Sequence, residues 1–537
     1  MKKRRFRLVS AWLALMLLAS CGKRNVGQFS PEPGTASQVT VVLNSASEPE
    51  AGFDPLFGWG AGEHVHEPLI QSTLTVTNPD LTIGYDLATE MEASEDGLTW
   101  TVKLREGVTF TDGSALTATD VVFTYNAARD VSSVTGLTML DRAEAVDDGT
   151  VVFHLKTPFS VWPYTMSTLG IVPEDSYDSA SYGTSPVGSG RYILKQWDRG
   201  QQVILQANPD YYGEKPKVEQ VNILFMEEDA AFLAVQAGQA DLAYTSAAYA
   251  DQHVDGFSLL SVQTVDNRGV NLPAVAASPS AVPAGNVLTG GSRLVRLAIN
   301  MGIDRQAMID HVLNGHGTPA YSVCDGLPWY SPASEVKYDR PGAEALLDEA
   351  GWRLGGDGIR TKDAVKARLT IHYIAGDSVR QGLAAELANQ LGELGIETDV
   401  KGVGWDTAYT DALSNPLIWG WGAHTPIELY NIYHTGPELD TARYSPYASP
   451  AADSLLDQAL ACPDLEQSYS LWQAAQEEIA RDMPWVWLVN VDHLYWVREG
   501  LHMAEQKIHP HGHGWSIVNN VDQWEWTGRG GQYPPAR

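Results

Sequence analysis

Between Leu98 and Leu104 apolar and polar residues alternate, with Leu98, Trp100, Val102 and Leu104 on one side. A period of two predicts a strand with one buried face. Val151 to Leu155 repeats the pattern. Gln202 to Gln206 predicts a further strand, closed by Asn208-Pro209, and Val221 to Phe225 another, ahead of a helix carrying Phe232, Val235 and Gln236. From Ser378 to Leu394 the period lengthens, and Leu383, Leu387, Leu391 and Leu394 recur on one helical face. Strands at Leu369 to Ile374 and Ile396 to Val400 flank that helix, a β-α-β order. Proline and glycine gather from Val270 to Gly291, which predicts a long irregular loop at a domain junction. No internal repeat is visible.

The first apolar run is of a different kind. MKKRRFR carries five cationic side chains, and Leu8 to Leu18 then has the length of a secretory signal core rather than of a membrane span. Leu18-Ala19-Ser20-Cys21 resembles the bacterial lipobox, in which the cysteine thiol is acylated and becomes the new N-terminus. The expectation is a signal peptide over 1–20, a lipid anchor on Cys21 and a flexible Gly/Ser/Pro tether over 21–37. The Arg4-Arg5 pair lacks a fuller twin-arginine context.

Charge narrows the partners. With 66 acidic against 36 basic residues the formal net charge is −30, which argues against nucleic acid and against adhesion to anionic lipid. The 537 residues hold no second apolar run long enough to cross a bilayer, so a soluble body of two or more domains is expected. After lipidation only Cys324 and Cys462 remain, enough for one disulfide and too few for a disulfide-stapled fold.

Four blocks then carry a resemblance. They are SEDGLTWTVKLREGVTFTDGSALTATDVVFTY (94–125), SPVGSGRYILKQWDRGQQVILQANPDYY (185–212), RLAINMGIDRQAMIDHVLNGHGTPA (296–320) and YDRPGAEALLDEAGW (338–352). In that order they resemble the extracellular solute-binding proteins, family 5, of peptide and nickel ABC importers, although Arg191 stands where the family usually has proline or threonine. Read physically, the blocks are scaffold: an Asp-Gly turn at Asp112-Gly113, helix caps at Thr117, Thr119 and Asp120, and a helix from Asp304-Arg305 ended by glycines. The resemblance implies an α/β, two-lobed, periplasmic-binding-protein-like fold of type II with a hinge and an interlobe cleft. The first lobe is expected over 38–265 and 491–537, the second over 266–490. It further implies a peptide or metal chelate as ligand, permease and ATPase subunits as partners, an extracytoplasmic lipid-anchored location, no cofactor and no catalysis.

Candidate ligand contacts follow from WGWGAHTPIELYNIYH (419–434), which in this family adjoins the cleft wall. Trp405, Trp419, Trp421, Tyr430 and Tyr433 offer apolar area with polar tips, and His424 and Glu428 titrate. Many peptide-binding members carry an aspartate in this loop for the ligand's ammonium group, and none occurs between Trp419 and Gly436. Trp421-Gly422-Ala423 is similar to the triplet preceding a metal-contacting histidine in nickel-binding members, here followed directly by His424. A neutral imidazole suits nickel, copper, zinc or iron, so His424, His64 and His66 are the candidate metal contacts, with His509, His511 and His513 weaker ones. An exported metal-dependent hydrolase is the rival class, but His-Glu-x-x-His, Gly-x-Ser-x-Gly and a phosphate-binding glycine loop are all missing. A sensory co-receptor on the same fold is a third possibility.

Overall fold

The computed structural model describes residues 37–57, 66–131, 137–281, 283–435, 446–512 and 514–527. Cys21, His64 and His513, and with them the anchor and tether, lie outside the described residues. Among those described, no helix is long and apolar enough to cross a membrane.

Two sheets organise the chain. The larger has seven strands, in the spatial order Phe257–Val262, His493–Arg498, Leu242–Thr245, Gln38–Asn44, Gln220–Met226, Gln202–Ala207 and Tyr192–Asp198. Both of its faces are covered by apolar clusters, which is why Val39, Val41, Val42 and Leu43 follow one another without alternation. The smaller sheet places Gly317–Pro319, Trp485–Val491, Asn267–Asn271 and Ile418–Trp421 side by side. Strand Arg368–Ile374 pairs in parallel with Glu397–Val403 and touches the smaller sheet through a parallel bridge from His372 to Leu417. Helix Ser378–Glu393 joins those two parallel strands, as its leucine period requires, burying Leu383, Leu387 and Leu391.

The chain passes between the two sheets twice, from Val262 to Asn267 and from Val491 to His493. The crossings run side by side: the Val491 N–H donates to the Asp266 carbonyl (2.8 Å), and the Thr264 hydroxyl donates to the Val491 carbonyl (2.8 Å). The Pro/Gly-rich stretch expected at a junction is instead an internal loop of the second half. Its first residues, Val270 and Asn271, are strand, and Gly285 and Asn286 bond to the carbonyls of Leu413 and Ser414. Proline and glycine report irregular backbone, not which sheets it joins.

A third sheet, Ala88–Ala93, Thr99–Leu104, Thr150–Leu155 and Leu140–Asp147, is covered by helix Ala118–Val131. Its apolar cluster continues without a break into helices Pro450–Ala461 and Leu465–Asp482. At that seam Ser160 caps the end of the first helix, its N–H donating to the Leu460 carbonyl (2.8 Å) and its hydroxyl to that of Ala459 (2.9 Å). The Tyr164 and Tyr469 hydroxyls meet at 3.0 Å, and Trp329 stands edge-on to Tyr164.

Candidate functional site: the interlobe cleft

Strands Arg368–Ile374, Glu397–Val403 and Ile418–Trp421 end along one edge of the second half, close to both crossings. In open α/β sheets that carboxyl edge is where ligands bind, because the loops leaving it face a crevice. Helix Trp405–Asp411 starts there and presents Trp405 and Tyr409, one turn apart and stacked at 5.8 Å. Trp419 packs against both rings (6.3 and 6.0 Å) and passes the contact to Trp421 (6.2 Å). Exposure falls along this shelf from 46% at Trp405 and 42% at Tyr409 to 4% at Trp419. The buried end is fixed because the Trp419 indole N–H donates to Asn271 Oδ1 (3.2 Å). Across the sheet, glycine is required at 269, where a Cβ would lie 2.3 Å from the Trp487 ring. The shelf is therefore an aromatic platform anchored at one end and open at the other, suited to the apolar face of a small solute.

The other sequence-predicted residues divide by role. Tyr433 belongs to the core beneath the shelf, its hydroxyl accepting from the Trp487 indole N–H (3.0 Å). Tyr430 faces helix Pro450–Ala461, donating to Asp457 (3.0 Å) and stacking on His434 (4.2 Å between centroids). His424 Nε2 lies 2.7 Å from the Ile508 carbonyl. A carbonyl only accepts, so Nε2 carries the hydrogen and Nδ1 keeps its lone pair. Burial, reinforced by the nearby Lys507 ammonium, pulls the His424 pKa down to about 4, so the ring is neutral. Glu428 points back at its own loop, one oxygen accepting from the Gly422 N–H (3.0 Å) and the other from the Ala423 N–H (2.9 Å). Burial pushes its pKa up to about 7 against those two bonds. His66 is buried close to Gly512, whose Cβ would lie 3.3 Å from its ring. Among the described residues no three His, Cys, Asp or Glu side chains are arranged to hold a metal ion.

With two sheets, paired crossings and a cleft edge in place, residues 82–437 match the model of the bacterial extracellular solute-binding proteins, family 5, middle region. The chain belongs to this family. Protein XP55 of Streptomyces lividans is 34% identical over 86% of this chain and 85% of its own. The oligopeptide-binding protein AppA of Bacillus subtilis is 27% identical over 95% and 96%. The crystal structure of NikZ from Campylobacter jejuni in complex with Ni(L-His) superposes on 91% of this chain and 99% of its own, with a TM-score of 0.74 at 20% identity, a likeness of fold. Family 5 proteins bind solutes outside the cytoplasm and do no covalent chemistry on them.

In a solute-binding protein the crossings act as the hinge, and here they enclose an ionic cluster that no single stretch of sequence announces. Asp266, on the first crossing, accepts from Arg268, His511 and His493 (3.2 Å for the last). Burial opposes the Asp266 charge, but Arg268, His511 and His493 together outweigh it and hold the carboxylate well below its ordinary range. His493 in turn meets His509, Nδ1 to Nδ1 at 3.1 Å. The segment His509 to His511 runs beside the first crossing and donates the His511 N–H to the Gly422 carbonyl (2.7 Å). The segment His509 to His511 thus ties the hinge to the loop bearing His424.

Proposed function

We propose that this chain is the substrate-binding lipoprotein of an ABC importer, held at the outer face of the membrane through acylated Cys21. It captures an oligopeptide in the cleft and hands it unchanged to the permease and ATPase subunits. The lobes are taken as 38–265 with 491–537, and 266–490. The observation that carries the reading is the half-open aromatic shelf Trp405–Tyr409–Trp419–Trp421 at the carboxyl edge. Binding energy there is spent partly on selecting the closed state. The naming of AppA as oligopeptide-binding supports the ligand class. A second reading, a nickel or other metal chelate whose own donors fill most of the coordination sphere, is favoured by the neutral His424 ring, whose Nδ1 is unprotonated when Nε2 donates to Ile508. Thermal unfolding of the mature protein with a random-sequence pool of four- to nine-residue peptides, and separately with nickel–histidine, tests both. A rise in Tm of several degrees with the peptides alone supports the first reading. A rise only with the metal species replaces it with the second.

A further inference from the structure

Loop Gly422 to His424 is where the second half of the molecule presses on the first. A Cβ on Gly422 would lie 1.8 Å from the Val265 carbonyl oxygen of the first crossing, and its φ of +137° suits glycine alone. The Gly422 carbonyl takes the His511 N–H, and His424 reaches the Ile508 carbonyl. Nothing in the loop's own backbone holds these three contacts in register. What does so lies behind it: the two oxygens of Glu428, in the first turn of helix Ile427–Tyr433, each accept one of two consecutive loop amides. The helix is in turn fixed by Leu429, Ile432 and Tyr433 in the core.

We propose that Glu428 is a positioning residue for closure: it does not touch the solute but holds Gly422 to His424 at the height from which they engage the hinge and the C-terminal segment. The proposal rests on the capture reading of the cleft. Four observations favour a brace over a ligand contact. Both oxygens are occupied, one N–H each, and a carboxylate is the only side chain that offers two acceptors at this span with no competing donor. No cation pairs with Glu428 among the described residues, so its charge is balanced by the amide dipoles alone. The titratable group that faces it is the buried Cys324 thiol, which feels the Glu428 charge and is itself pushed up by burial. Burial raises the Glu428 carboxyl while the two loop amides lower it, so seating the loop on a buried Glu428 favours the ionised form.

Two consequences run in opposite directions across the same pH range. Folding stability supplied by Glu428 falls as pH rises through about 7, because the unfolded chain ionises more readily. Protection of the loop amides rises over that interval, because the ionised form grips them. A carboxyl that was merely buried would give the first trend without the second.

Hydrogen exchange of the ligand-free mature protein, corrected for intrinsic rates at pH 6 and pH 8, tests this without any ligand. The prediction is that fragments covering Trp419 to Ile427 gain protection from pH 6 to pH 8 in the parent. Glu428→Gln, which keeps one acceptor but turns an NH2 toward the other amide, loses at least tenfold protection there at pH 8 and shows no such gain. Fragments from the seven-stranded sheet stay unchanged and report that the variant is folded. A second arm measures the Tm shift given by the random peptide pool, expected to be smaller for Glu428→Gln than for the parent. Equal loop protection in parent and variant at both pH values overturns the proposal. Absence of any peptide shift in the parent overturns the capture of peptides instead, with the exchange arm still deciding the brace.

Discussion

Replacing His424 with alanine removes one bond, from Nε2–H to the Ile508 carbonyl at 2.7 Å, which joins the cleft loop to the C-terminal segment. The ring is neutral at physiological pH, so this is a neutral pair, worth about 1 kcal/mol net and about fivefold in an equilibrium constant. With the lobes divided as proposed, the partners fall in different lobes, 84 positions apart in sequence, and the bond is expected to form on closure. Its loss therefore lowers the closed population, and with it solute affinity, by about that factor. Calorimetric titration with the tightest-binding peptide from the pool should show a roughly fivefold weaker Kd for His424→Ala. His424→Gln should recover part of the loss, since an amide N–H also reaches a carbonyl. Were His424 an inner-sphere ligand to a metal chelate, the loss with nickel–histidine would be far larger, on the order of 10-fold to 100-fold or beyond, and glutamine would not rescue it. Unchanged affinity in His424→Ala for both probes would refute the closure argument.

Trp405→Ala removes the exposed end of the shelf. Peptides with apolar or aromatic residues should bind about 3- to 10-fold more weakly while Tm hardly moves, because the ring is 46% exposed; a large fall in Tm would mark it as core instead. Glu428 and His424 should leave opposite marks on a pH series of chemical unfolding. Glu428, raised from 4.5 to about 7, contributes stability below pH 4.5 that is lost as pH rises through 7, so Glu428→Gln gains on the parent over that interval, by up to about 1.4 kcal/mol per pH unit. His424, lowered from 6.5 to about 4, contributes stability above pH 6.5 that is lost as pH falls through 4, so His424→Gln gains on the parent toward acid; parallel curves would refute both assignments. Cys21→Ser should move the protein from the membrane fraction to the soluble one, and retention on the membrane would argue for another anchor.

Much of the architecture was legible in the chain because it is written locally. The alternation at Leu98 to Leu104 appears as strand Thr99–Leu104, and the leucine repeat as helix Ser378–Glu393 between its two parallel strands. The aromatic shelf was half legible. Trp405, Trp419 and Trp421 join as one platform, but the packing of Tyr409 one helical turn after Trp405, and the burial of Tyr433, depend on which helix face meets the sheet. Glu428 shows the limit most clearly. A carboxylate beside a cleft reads as a ligand group until the backbone is seen to fold its own amides onto it. The hinge cluster was invisible for a different reason. Asp266, His493 and His511 lie more than 200 positions apart in part, and only the paired crossings bring them together. The same holds for Ser160 and Leu460 at the far seam.

The central claim is that a two-lobed body captures a small solute and releases it unaltered. Native mass spectrometry of the mature protein, after incubation with the random peptide pool and removal of unbound peptide, tests it most directly. The account predicts a one-to-one complex whose bound mass, on release by denaturant, matches a peptide that was supplied. Recovery of cleaved or otherwise modified peptide, or an unliganded protein after exposure to both the peptides and nickel–histidine, would contradict it.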